Sequence, residues 1–96
     1  MNKFFDDLGR RFTSTAATQG TEIQAPSLEP AVAEQLLELA RVAAHTGERP
    51  FAPLACYMAG VAAERFRAAG GGDSGAIATL IERVRSELEA GAPPRS

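Results

Sequence analysis

The side chains best equipped for chemistry are few and isolated: one histidine, His45, and one cysteine, Cys56, in a chain of 96 residues. A general base needs a nucleophile or a paired acid within hydrogen-bond reach, and spacing supplies neither for His45. It falls in the last turn of a helical pattern, where a ring nitrogen can bond a terminal carbonyl or gain from the helix dipole. Cys56 lies inside an uncharged run, and apolar surroundings suppress the thiolate that a nucleophile requires. It is expected to be a small buried hydrophobe. One histidine and one cysteine so far apart do not resemble a zinc-ligand set. Gly70, Gly71 and Gly72 are followed by no lysine and preceded by no strand, so they do not form a phosphate loop. Arg65, Arg67, Arg83 and Arg85 interleave with Glu64, Glu82, Glu87 and Glu89, the pattern of a solvated mixed face. The expectation is a protein that is not an enzyme, with no catalytic, cofactor-binding or metal-binding residue.

The elements that must position these residues are helices. Hydrophobic residues make up 45% of the chain but aromatics only 6%, so the apolar volume is mostly Ala, Val and Leu, which suits close-packed helices better than strands. The fold class expected is all-α: a small three-helix bundle over residues 28–90, a separate short N-terminal amphipathic helix over 1–12, a flexible linker over 13–27 and a disordered tail over 91–96. In the first helix Met1, Phe4, Phe5, Leu8 and Phe12 share one arc, with Lys3, Asp6, Arg10 and Arg11 around the rest. The linker, TSTAATQGTEIQAPS, is small and polar.

The second helix is expected to be capped by Ser27, with Glu29 and Pro30 in its first turn and Gly47 as a left-handed stop. Its apolar face is Val32, Leu36, Leu39, Ala40 and Ala43. The third, starting near Pro53 and ending at Ala69, holds the most informative stretch of the chain: fourteen residues from Pro50 to Ala63 without a charge. A helix apolar all round must be covered on every side, by its own chain or by a partner, so it reads as central, between the second and fourth helices, with one side left for a partner or for the first helix folding back. Ala52, Cys56 and Gly60, with Ala55, Ala59 and Ala63, form rows that admit a close neighbour, inside the bundle or from another protomer. The fourth helix is capped by Asp73 or Ser74, carries Ile77, Leu80, Ile81, Val84 and Leu88 on one face, and ends at Gly91.

The string from Leu36 to Arg65, LLELARVAAHTGERPFAPLACYMAGVAAER, resembles a small bacterial helical domain of unknown function. The residues that carry the resemblance are Ala44 and His45, Arg49 and Pro50, Ala52, Pro53 and Leu54, and Gly60 with Ala62; it covers roughly residues 28–90 and leaves the phenylalanine-rich N-terminus outside. That domain occurs alone or appended to molybdenum cofactor guanylyltransferase, which implies an accessory role near molybdoenzyme maturation or formate dehydrogenase. On this resemblance His45 with Arg49 would be the place to look for a bound pterin phosphate.

A net charge of −2 and a pI near 5.3 provide no basic face, so nucleic acid is not an expected partner. A single cysteine excludes an intrachain disulfide and points to a reducing, cytoplasmic setting. No secretory signal is visible, and the uncharged run is shorter than the roughly 20 residues a membrane span needs. The functional expectation is a non-enzymatic helical adaptor or accessory subunit that binds a larger protein, with Phe4, Phe5, Leu8, Phe12, Phe51, Tyr57 and Met58 as contact residues and an oligomer as a further possibility. The alternative is peripheral membrane-surface association through the first helix, against which Asp6 and Asp7 nearly balance Lys3, Arg10 and Arg11.

Overall fold

Asn2 stands where a helix can begin: its extended backbone and its side-chain oxygen, which accepts from the Phe5 N–H at 3.2 Å, satisfy one of the helix's unpaired donors. In the computed structural model, which describes residues 2–94, this starts the first of four helices: α1 (Lys3–Thr18), α2 (Pro30–Thr46), α3 (Phe51–Ala68) and α4 (Ser74–Ala90). The described residues contain no strand, so the all-α class holds. Met1, expected on the apolar arc of α1, lies outside the described residues.

The chain divides into two units, Met1–Pro30 and Ala31–Ser96. In the first, α1 continues six residues past the boundary expected from composition. Ala16 and Ala17 are good helix formers, and the hydroxyls of Thr13 and Thr18 turn back onto the carbonyls of Gly9 and Thr15 instead of competing for the backbone. Closure comes at Gly20, with φ at +84°: its N–H donates to the Ala17 carbonyl, and the Thr21 N–H donates to that of Ala16. This paired arrangement needs a left-handed residue after the helix, and glycine takes that conformation without penalty. The same reciprocal bonds end α3 at Gly70 and Gly71 and α4 at Gly91 and Ala92.

The start of α2 is set by proline, at the boundary between the units. Pro30 is the first helical residue, where its missing N–H costs nothing, and it disfavours helical geometry in Glu29 before it. Ser27 is therefore not the cap. Gly47 is not left-handed either. It is required by space, because a side chain there would meet the Phe51 ring. α3 starts at Phe51, two residues before Pro53, which leaves the proline within a first turn whose N–H groups have no helical partner. Asp73 caps α4, its Oδ1 accepting from the Ala76 N–H at 3.2 Å.

The buried cluster joins Leu39 of α2, Ala63 of α3, and Ile77 and Ile81 of α4, with Val32, Leu36, Ala55, Ala59 and Phe66 packed against it. Val42 and Ala43 are also buried. Arg41 ties α2 to α4 at the surface, 3.2 Å from Glu38 and 3.4 Å from Glu89. Those carboxylates, Glu38 first, hold its pKa above the ordinary guanidinium value.

α3 touches both neighbours, through the Cys56 thiol on the Leu36 carbonyl of α2 and through Ala63 beside Ile77 and Ile81 of α4, and leaves its other side open. Ala63 is its one buried residue, whereas α2 supplies three and α4 two. An uncharged sequence is compatible with burial on every side but does not bring neighbours to cover it. On α4, Val84 and Leu88 continue the apolar spacing yet stand exposed, because the cluster occupies its first two turns.

Candidate protein-docking surfaces

On α1, residues at 3 to 4 spacing put Phe4, Phe5, Leu8 and Phe12 on one side. Phe4 is 67% exposed and Phe12 55%, while Phe5 and Leu8 are somewhat better covered. The Phe4 and Phe5 rings meet edge to face, 5.1 Å between centroids at 87°, an arrangement aromatic quadrupoles favour. Elsewhere on α1, Asp7 accepts from Lys3 at 2.6 Å and pairs with Arg10. The Lys3 hydrogen bond, helped by the Arg10 and Arg11 charges, holds the Asp7 carboxyl below the usual carboxylate range. Asp7, Arg10, Arg11 and Ser14 border a shallow surface depression whose cationic groups are partly neutralised from within. Such internal pairing leaves less free positive charge to attract an anionic lipid surface.

Gly9 was not singled out by sequence reasoning. It is the buried residue of α1, and a Cβ there would lie 2.5 Å from the Pro26 carbonyl oxygen. The segment after α1 therefore returns along the helix at the one position with no side chain. A glycine inside an otherwise helical pattern was the available signal.

On α3 the small residues and the large ones part company. Ala55, Ala59 and Ala63 belong to the buried cluster, and the Cys56 thiol donates to the Leu36 carbonyl at 3.6 Å. The small-residue rows thus pack within the unit, except at Gly60, which meets nothing within 4 Å. Facing away are Phe51, Leu54, Tyr57 and Met58, the last three 61%, 73% and 71% exposed. Phe51, Tyr57 and Met58 were expected as contact residues; Leu54 had been noted only as part of the family resemblance, and Leu37 on α2, also strongly exposed, was missed. An apolar residue on an outer helix face carries no signal of its own.

His45 is exposed at the end of α2, and Cys56 is half-buried, its thiol pushed up by desolvation. They stand on different helices, and among the described residues no three His, Cys, Asp or Glu side chains converge as a metal site would require. In each unit taken by itself, the candidate contact residues are apolar and exposed. They can bind a complementary apolar surface.

A model of a domain of unknown function, DUF6457, matches residues 4–95, and the chain belongs to that family. The match takes in α1 and the segment after it, so these are part of the family's domain and not, as the shorter resemblance over residues 28–90 implied, outside it. No curated protein matches the chain. No solved structure matches it. No helix among the described residues is long and apolar enough to cross a membrane.

Proposed function

We propose that this member of the DUF6457 family is a non-enzymatic helical adaptor. In this reading α2, α3 and α4 form a three-helix bundle, and α1 is a tethered docking helix that presents its phenylalanines to a larger protein. The observation that carries it is the set of Phe4, Phe5, Leu8 and Phe12 on one side of α1, each more than a third exposed. An amphipathic helix laid into an apolar groove is a recurrent recognition mode, anchored at these spacings. Apolar burial contributes about 25 cal/mol per Å², so bulky anchors of this kind can dominate an interface. If α1 and the bundle contact the same partner, the second contact is effectively local, and avidity rises without new interactions. The partner class, a molybdenum-dependent enzyme or its maturation factor in the cytoplasm, rests on the resemblance of residues 36–65 alone.

The test is co-purification from the native source with the tagged full chain beside a Phe5→Asp, Leu8→Asp variant. The expected result is one large protein recovered by the parent and lost by the variant, with the variant's thermal midpoint unchanged. Undiminished recovery by the variant removes the docking helix. A recovered partner with no part in molybdenum cofactor synthesis or use removes the partner class and leaves the adaptor. Retention of the chain on anionic vesicles, abolished by the same substitutions, would replace protein docking with membrane-surface association.

A further inference from the structure

We infer that the outer face of α3 is a self-association surface, on which a second copy of this chain packs antiparallel across a two-fold axis. This inference stands apart from docking by α1. The face is built from Phe51, Leu54, Tyr57 and Met58, and Val61, half-buried, continues it by one turn. Large side chains present about 150–250 Å² each. At the exposures seen here, the four leave roughly 500 Å² of surface in water on each copy, in the upper part of the roughly 300–600 Å² range of a monomer's largest apolar patch, which is often functional. Two copies joined through it bury about 1,000 Å², the lower bound for a specific interface.

Charge decides between a second copy and other occupants, and it also sets the register. From Phe51 to Ala63 the helix carries no charge, so identical faces meet without repulsion. The run is bounded by Glu48 and Arg49 before it and by Glu64 and Arg65 after it, all exposed. An antiparallel pair with its axis level with Cys56 and Tyr57 brings Glu48 of one copy to Arg65 of the other, and Arg49 to Glu64. Every bounding charge then has an opposite partner across the axis, with Glu64 also paired to Arg67 of its own helix at 3.5 Å. A parallel pair would set each charge against its own kind, which is unfavourable. In the antiparallel register Phe51 also lies opposite Ala62, a large side chain against a small one, as interdigitating helices require. A closed two-fold contact of this type is isologous and stops at two copies.

Sedimentation equilibrium on the full chain tests this, with the protomer mass of 10.1 kDa as reference. The expected result is a reversible dimer in the micromolar range. Met58→Glu should weaken it by about thirtyfold or more, the loss associated with a central interface residue, while the helical signal and thermal midpoint of the dilute protein stay as they were. Arg65→Glu should weaken the dimer and Glu48→Arg in the same chain should restore it. A parent that remains monomeric at several hundred micromolar overturns the inference. So does a dimer indifferent to Met58→Glu, or one abolished by Phe5→Asp with Leu8→Asp, which would place self-association on α1. Failure of the charge reversal to restore dimerisation overturns the antiparallel register.

Discussion

Ile77→Ala tests the packing on which every other statement about α2, α3 and α4 depends. Ile77 is 1% exposed and sits one turn into α4, in a cluster with Leu39, Ala63 and Ile81 from all three helices. Truncating a fully buried isoleucine costs the transfer free energy of the lost atoms and leaves a cavity, together about 2–5 kcal/mol. Only Ala63 comes from α3, and helices held by so few buried side chains can partly collapse into the gap, which favours a value of about 3 kcal/mol. The unit Ala31–Ser96 should have a total stability of about 3–10 kcal/mol by the per-residue norm, so this one change removes a large part of it. At about 4–8 °C per kcal/mol for a domain of this size, the midpoint should fall by about 12–24 °C. Urea unfolding followed by the helical signal at 222 nm measures the loss directly. Leu37→Ala, at a position 72% exposed on α2, is the control and should stay within about 0.5 kcal/mol. A loss below about 1 kcal/mol for Ile77→Ala would mean that the three helices do not share this cluster.

Further outcomes follow from two individual contacts, at Cys56 and at Gly9. Burial raises the Cys56 thiol above its ordinary value, so alkylation of the folded chain at pH 7 should be slower than that of the unfolded chain, and equal rates would refute the packing of that thiol beneath α2. The unfolded chain then gives up the thiol proton first, so the contribution of Cys56 to stability is intact below the ordinary thiol range near about 8.5 and declines as pH rises through it; a Cys56→Ala variant should lose that alkaline dependence. Gly9→Ala improves intrinsic helix propensity by about 1 kcal/mol yet places a methyl group against the Pro26 carbonyl. Its expected effect is faster proteolysis within residues 20–29 with α1 helicity kept, and unchanged cleavage would show that the return segment does not use Gly9.

Much of the fold is legible in local chemistry. The Asp73 cap, the stops at Gly70 and Gly91 and the apolar face of α2 act over one or two turns, and each depends on residue types that few other conformations tolerate. Where reading went astray, two local signals competed. Thr13–Thr18 has linker composition but helical hydrogen bonding, and the decisive residue was Gly20 beyond it. Ser27 is a good cap in isolation, but Pro30 sets the start. Gly47 has the residue type of a left-handed stop but not its conformation, and its neighbour is a ring brought there by the next helix.

The sequence by itself determined four helices, the stops of α3 and α4, the apolar sides of α1 and α2, and the scarcity of residues suited to catalysis. It did so because caps, proline and helical periodicity are short-range and carry their physical cause in the residue type. Only the tertiary structure decided which side of α3 is covered. A helix without charges from Phe51 to Ala63 has no polar face to mark the outside, so periodicity is silent on its orientation. Packing of the small side chains Ala55, Ala59 and Ala63 against Leu39, Ile77 and Ile81 turned Leu54, Tyr57 and Met58 outward, because small residues let helix backbones approach closely and bulky ones at the same contact would hold them apart.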